Sequence, residues 1–128
     1  MGTRNFEALI SYLTDEFGDS LRWVATFDSD QYTYKVRHIR RDLKTELSGM
    51  DLDIIVHRSI AVFNRRHVED VYFHLGDARS LLVEHEQALA FHLYLDERRG
   101  VVIKLQTGAT VSVPDLREEC LRRRSEEH

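Results

Sequence analysis

The amino-acid sequence predicts a single α+β domain over residues 1–128, with a five-stranded, mostly antiparallel sheet and flanking helices in the order α-ββ-α-βββ-α. Apolar residues recur every three or four positions in some stretches, as in amphipathic helices, and alternate with polar residues in five shorter ones, as in strands. All but one of the strand connections have hairpin length, so the strands run mostly antiparallel. A length of 128 residues and a hydrophobic fraction of 42% suit one domain with its own core.

The first half of the chain contains a helix and a hairpin. The helix is predicted from about Asn5 to Phe17, with Asn5 as its N-cap and Gly18 as its C-terminal stop. Residues 21–27 and 32–38 then form strands around the polar loop 28–31. Alternation in the first of these strands predicts two opposite sets of side chains, with Leu21, Trp23, Ala25 and Phe27 on one side and Arg22, Val24 and Thr26 on the other.

The middle of the chain is predicted to be helical. A short helix or a helical turn covers Arg40 to Ser48, and a long helical region runs from about Asp51 to Leu75. Its two apolar stripes fall out of phase by about one residue near Asn64-Arg65-Arg66. We therefore expect a kink or two abutting helices at that point.

The second half contains three strands and a helix. The strands cover 80–86, 88–95 and 101–106, and the helix runs from about Pro114 to Arg124. The charged loop 96–100 joins the last two strands, and Gly100 is expected to supply a positive φ there. Leu116 and Cys120 are predicted to face the core from the last helix.

The arrangement of layers predicts how the domain associates. One layer of helices cannot cover both faces of a sheet, so we expect either the open face or the long helix to form a dimer surface. We therefore expect a homodimer that can also bind a protein partner.

The amino-acid composition limits which binding partners and which cellular compartments we expect. A net charge of −4 and a pI near 6.0 argue against nucleic-acid binding. The sequence has neither an apolar run of about 18 residues nor a signal-peptide core, so we expect a cytoplasmic protein and no membrane contact. Its single cysteine, Cys120, excludes an intrachain disulfide. Arginine supplies 15 of the 18 cations, which indicates a salt-rich cytoplasm or a GC-rich genome.

Seven histidines require a test for metal binding, at positions His38, His57, His67, His74, His85, His92 and His128. His67 and His74 are expected two turns apart on one helix, which is too far to share a zinc ion. His85 and His92 lie on successive predicted strands, where they could face each other. A site assembled from three separate elements stays open as an alternative, but we predict no metal and no cofactor.

Catalytic patterns are missing from the sequence. Cys120 follows Glu118-Glu119, whose charges would raise the thiol pKa and weaken it as a nucleophile. Neither a Gly-x-Ser-x-Gly elbow nor a glycine-rich phosphate loop occurs. Asp51 and Asp53 are interpreted as helix starters rather than as a metal pair. We therefore predict a protein that is not an enzyme and name no catalytic residue.

Arginine pairs and aromatic residues are the remaining candidate features. The arginine groups are Arg40-Arg41, Arg65-Arg66, Arg98-Arg99 and Arg122-Arg123-Arg124. They could gather into one anion-binding face, but nearby acidic residues favour a mixed, solvated ion-pair surface. Four aromatic residues fall on predicted strands, and we assign them to the core rather than to a nucleic-acid stacking platform: Trp23, Tyr32, Tyr34 and Phe91.

The predicted element order is similar to that of roadblock, longin and profilin-like modules. This resemblance implies dimerisation and a role as a regulatory platform for small GTPases. Motifs that cover most of the chain carry a closer likeness: Leu21-Arg22-Trp23-Val24 after Gly18-Asp19, Tyr34-Lys35-Val36-Arg37, Arg41-Asp42-Leu43 and Leu89-Ala90-Phe91-His92-Leu93. They are similar to a set of short uncharacterised proteins of halophilic archaea, and this likeness implies a cellular setting rather than a function.

Two functions are compatible with these features. The first is a non-enzymatic interaction or regulatory module that homodimerises. The alternative is a domain that senses a small molecule or nucleotide in a pocket between the sheet and the long helix, lined by aromatic residues and arginine. The solution mass tests the first hypothesis, and a thermal-shift screen with nucleotides tests the second.

Overall fold

A single antiparallel sheet of five strands organises the protein, in the spatial order β2-β1-β5-β4-β3. The structure is a computed structural model that describes residues 6–125. The strands are β1 (Leu21–Asp28), β2 (Thr33–Ile39), β3 (Ser80–Glu84), β4 (Ala88–Tyr94) and β5 (Arg99–Gln106). The helices are α1 (Glu7–Phe17), α2 (Arg41–Glu46), α3 (Gly49–Phe63), α4 (Arg65–Val71) and α5 (Val113–Ser125). The predicted fold class is confirmed, with α2, α3 and α4 together forming the central helical region.

Helices cover the sheet from both sides. Helices α1 and α5 pack on one face, called here the α1/α5 face, where Leu9, Leu13 and Leu116 join the core formed with Phe91. Helices α2 and α3 pack on the opposite face, called here the α3 face, and bury Trp23 there. The expectation of one open sheet face was therefore wrong, because α2 and α3 supply a second layer.

An irregularity in β1 changes the predicted alternation of its side chains. The pairing of β1 with β5 shifts register between Leu21 and Trp23. An extra residue in a strand reverses the side to which the preceding side chains point. Leu21 consequently joins the core of the α1/α5 face, together with Val24, whereas Trp23 lies on the α3 face. The prediction that Leu21 shares a side with Trp23 was therefore wrong.

The helix ends follow local capping chemistry. Helix α1 begins after Phe6, which holds the N-cap position that the sequence had assigned to Asn5, and Asn5 lies outside the described residues. Gly18 ends α1 with a φ of 54°, as predicted. At the start of α3, the Ser48 hydroxyl and the Asp51 carboxylate form a reciprocal capping box. This pairing confirms Asp51 as a helix starter.

The predicted interruption of the long helical region is confirmed at Asn64. This residue has extended backbone angles and ends α3, and its side-chain oxygen accepts a hydrogen bond of 2.8 Å from the backbone N–H of His67. Helix α4 therefore starts with its own cap. It ends at Val71 rather than at Leu75, so the expected helix over residues 72–75 was wrong.

Gly100 is required for a close approach between strands rather than for a positive φ. It lies inside β5, opposite Phe27 of β1 and Tyr94 of β4. A Cβ atom at this position would overlap the Phe27 ring at Cζ and lie 2.7 Å from the Leu93 carbonyl oxygen. The Phe27 ring therefore occupies the space that any larger residue would need, and the predicted loop geometry at Gly100 was wrong.

Candidate functional site

The histidines lie apart from one another. His92 is buried on β4, where it pairs with Leu81, whereas His85 is exposed in the turn after β3. His85 and His92 are not paired across the strands, so that possibility is not realised. His74 lies beyond the end of α4, so the expected placement of His67 and His74 on one helix was wrong. Within residues 6–125, no group of three or more metal-ligating side chains comes together. His128 lies outside the described residues.

The His92 ring is a buried, titratable side chain, with 3% of its surface exposed. The His92 ring lies 5.1 Å from the Phe63 ring, centre to centre. Within residues 6–125, neither ring nitrogen of His92 forms a hydrogen bond. Burial, aided by the charge of Lys104, lowers the His92 pKa to about 4. The Lys104 ammonium lies 5.5 Å from the centre of the Trp23 ring and is itself half-buried. The imidazole is therefore neutral near pH 7 and contributes to packing.

The arginine groups form a mixed ion-pair surface. Arg40 bonds Asp42 at 2.6 Å, and Arg65 bonds both Glu69 at 2.9 Å and Asp77 at 3.1 Å. The other groups are paired in the same way, through Arg98–Asp28, Arg99–Asp96, Arg122–Glu119 and Arg123–Glu119. Each arginine group therefore contains at least one ion-paired member, as expected for a mixed ion-pair surface, whereas Arg41 and Arg66 form no ion pair within residues 6–125.

The four aromatic candidates divide into core and surface residues. Trp23 and Phe91 are buried, as predicted. The Tyr34 hydroxyl donates a hydrogen bond to the Asp53 carboxylate, and burial followed by this bond raises the Tyr34 pKa to about 12. Tyr32 is 49% exposed in the β1–β2 turn with a φ of 55°, so its assignment to the core was wrong.

The single thiol is inaccessible. Cys120 faces the core from α5 and is 1% exposed, and Leu116 is buried one turn earlier, as predicted. Burial raises the Cys120 pKa to about 12, and the Glu119 charge adds to that increase. The sequence-based prediction explained the raised pKa of the Cys120 thiol by the neighbouring charges alone.

An exposed apolar surface surrounds the end of α4. Val71, Tyr72, Phe73 and Leu75 are between 56% and 83% exposed, within five consecutive residues. We call these four residues the outer apolar surface. Three residues of α3 are exposed separately: Met50, Ile54 and Val62. Val71, Tyr72 and Leu75 have the spacing of an amphipathic helical stripe, so periodicity alone predicts them to face the core.

Strand β3 forms one edge of the sheet built by residues 6–125, and it follows the outer apolar surface in the chain. Its residues Ser80-Leu81-Leu82-Val83-Glu84 contain neither lysine, arginine nor proline, the residues that usually protect an edge strand from association. Leu82 is 36% exposed. This edge is therefore suited to pairing with another strand.

Surface cavities lie at two places on the domain. Two lie beside β2 and α1, with volumes of about 310 and 410 Å³, and share Phe6, Lys35 and Arg37. The third, of about 230 Å³, lies between the β1–β2 turn and the end of α3 and contains Tyr32 and Arg66. The two cavities beside β2 do not lie between the sheet and the long helix, where the sensing hypothesis had placed its pocket, whereas the third touches the end of α3 through Ile60.

The antiparallel sheet with helices on both faces defines the class of this protein, which has the fold of roadblock/LC7 domains. The chain belongs to the family described as a domain of unknown function, DUF7522, whose model matches residues 7–125. No curated protein sequence matches it. Within residues 6–125, no helix has both the length and the apolar character needed to cross a bilayer.

Solved structures with this fold differ widely from it in sequence. A roadblock/LC7 domain from Streptomyces avermitilis is 15% identical, with a TM-score of 0.64 over 95% of this chain and 93% of that one. MglB from Myxococcus xanthus is 10% identical, with a TM-score of 0.65 over 95% and 89%. The gliding protein MglB from Thermus thermophilus is 16% identical, with a TM-score of 0.63 over 100% and 96%. At these identities the likeness shows the fold alone.

Proposed function

We propose that this protein is a non-enzymatic interaction module of the cytoplasm that homodimerises and presents the joint surface to a protein partner. The observation that carries the proposal is the outer apolar surface, in which Phe73 is 83% exposed. Burying a side chain of this kind contributes about 1.5–3 kcal/mol, so several of them favour association. Small GTPases, the partner class that the roadblock-like resemblance implies, are the first to be tested.

The free edge of β3 supports a symmetric dimer. Two copies can pair their β3 strands in antiparallel fashion across a twofold axis, which would extend the sheet from one subunit into the next. The outer apolar surface, which precedes β3 in the chain, would then lie beside the same twofold axis. One solved MglB structure is described in a tetrameric arrangement, so self-association occurs in a protein that shares this fold.

Light scattering of the purified protein, at low and at molar salt, tests the dimer. We expect twice the chain mass of 15.1 kDa. Phe73→Asp and Leu82→Lys should each shift the mass towards the monomer, because they place a charge in the proposed interface. Tyr32→Asp, the matched change at an exposed aromatic residue outside it, should leave the mass unchanged. A monomer at both salts, or equal dissociation by all three variants, would reject the dimer.

The salt series also tests the proposed haloarchaeal setting. Molar salt screens repulsion between like-charged surfaces. A dimer that forms only at molar salt would support that setting, whereas equal masses at both salts would give it no support.

The sensing function has one observation in its favour, the cavity that contains Tyr32 and Arg66. Asp30 and Glu97 also line this cavity, and two carboxylates against one guanidinium disfavour an anionic nucleotide. A thermal-shift screen with nucleotides, repeated with Arg66→Gln, tests it. A shift that disappears in the variant would favour sensing over the interaction module.

A further inference from the structure

Two half-buried cations, Arg22 of β1 and Lys104 of β5, lie on the two central strands of the sheet. Lys104 pairs with Trp23 of β1 and with Ala90 of β4, so its side chain shares the α3 face with Trp23. Within residues 6–125, neither the Arg22 nor the Lys104 side chain forms an ion pair or a hydrogen bond. We call Arg22 and Lys104 the central cation pair.

The register irregularity of β1 explains why Arg22 lies beside Lys104. Leu21 pairs with Leu105 and Trp23 pairs with Lys104, so Arg22 is the extra residue and has no partner in β5. An extra residue redirects a side chain out of the regular alternation of the strand, and such irregularities are frequent next to functional sites. Burial lowers the Lys104 pKa, and the Arg22 charge lowers it further. The two cations are therefore close enough to repel each other.

This repulsion has no compensation within the described chain. Charged side chains that are withdrawn from water are usually paired with an opposite charge, as Arg65 is with Glu69. At Lys104, no carboxylate of residues 6–125 counteracts the lowering of the pKa. An anion bound between the two cations would remove their repulsion and accept hydrogen bonds from both.

From this cluster we propose that Arg22 and Lys104 bind a phosphate group, either as the free ion or on a small molecule. A phosphate group carries a charge of about −1.5 to −2 near pH 7, which matches two cations better than one carboxylate does. The guanidinium of Arg22 can bind two phosphate oxygens, and the Lys104 ammonium acts as a point charge. The ammonium lies 5.5 Å from the centre of the Trp23 ring, which favours its position on the α3 face.

The central cation pair is separate from the proposed dimer interface. Its residues belong to β1 and β5, whereas β3 forms an edge of the sheet and follows the outer apolar surface in the chain. The pair also lies outside the cavity that contains Tyr32 and Arg66. Phosphate binding would therefore add to the proposed interaction function without depending on dimerisation.

The single tryptophan of the chain, Trp23, makes its fluorescence a probe of this site. The full-length protein is titrated with sodium phosphate at pH 7, and sodium chloride keeps the ionic strength constant. We expect a saturable change in emission, because a bound anion alters the field of the ammonium beside the indole. Isothermal titration calorimetry measures the same affinity independently of the indole.

Three variants test the residues. Lys104→Met keeps an apolar side chain of similar length, and it should abolish saturable binding in both measurements. Arg22→Gln should weaken the affinity about tenfold, because it removes one charge-assisted contact. Lys35→Met, the matched change at an exposed lysine of β2, should leave the affinity unchanged.

Several results would overturn the proposal. Wild-type protein that shows no saturation, or Lys104→Met that binds as wild type does, would reject the site. Equal affinity for acetate would contradict the preference for phosphate. If glycerol phosphate binds more tightly than inorganic phosphate, the ligand is a phosphorylated small molecule, whereas the reverse order indicates the free ion. Phe73→Asp separates this proposal from the homodimer, because that variant should lower the mass without changing the phosphate affinity.

Discussion

The Tyr94 hydroxyl donates a hydrogen bond of 2.5 Å to the backbone carbonyl of Phe63, the last residue of α3. The bond joins β4 to the end of the long helix over a separation of 31 residues. Tyr94 is 7% exposed, so the bond is shielded from water. The last carbonyl groups of a helix have no partner within it, and Tyr94 satisfies one of them.

Removal of this hydroxyl tests its contribution. Tyr94→Phe should lower the free energy of unfolding by about 1–2 kcal/mol, because it leaves a shielded carbonyl without a partner. Urea denaturation measures the change, and hydrogen exchange should become faster at the end of α3. Tyr34→Phe, which removes the hydroxyl bonded to the exposed Asp53 carboxylate, should cost less. If both variants lower the free energy of unfolding equally, shielding from water does not strengthen the hydrogen bond of Tyr94.

The packing at Gly100 predicts a larger loss. Gly100→Ala should lower the free energy of unfolding by about 2 kcal/mol or more, because the new methyl group overlaps the Phe27 ring and the Leu93 carbonyl oxygen. The control is Gly49→Ala at the start of α3, where a Cβ atom meets nothing within 4 Å. This variant should be neutral or slightly stabilising. Thermal unfolding compares the two, and similar midpoints would contradict the overlap.

The buried His92 predicts an acid-sensitive stability. Its folded pKa of about 4 lies below the ordinary value of 6.5, so acidification protonates the unfolded chain first. The free energy of unfolding should therefore fall by up to about 3 kcal/mol from pH 6.5 to pH 4, and the His92 contribution should not change above that range.

Comparison of variants isolates this contribution. His92→Leu should remove much of the loss between pH 6.5 and pH 4, measured by urea denaturation at several pH values. His85→Leu, at an exposed histidine, should keep the wild-type pH dependence. An unchanged slope in His92→Leu would mean that the ring can be protonated without unfolding.

Much of the fold could be predicted because periodicity and capping are local properties. The stop at Gly18, the break at Asn64 and the core position of Cys120 each depend on residues close in sequence. The extra residue in β1 could not be predicted, since it depends on the pairing of Leu21 with Leu105 in a distant strand. Gly100 is a similar case, because its constraint is the Phe27 ring of a neighbouring strand.

The candidate surfaces were less predictable than the fold. The stripe that includes Val71 has helical spacing, yet the sequence does not show that α4 ends there. Strands β2 and β3 could be identified, but their places at the two sheet edges follow from the spatial order of all five strands. The cavities beside Arg37 likewise depend on how α1 crosses the sheet, which no local pattern specifies.

Because Cys120 is buried, the reaction of its thiol with a reagent reports when α5 separates from the sheet. Helix α5 packs beside α1 over the sheet, and the thiol lies within that contact. A thiol-specific reagent can reach the sulfur only when the helix opens, so the labelling rate measures the frequency of opening. Because the chain has one cysteine, a single kinetic trace gives the free energy of that local event, and the same trace with a bound partner shows whether binding closes it.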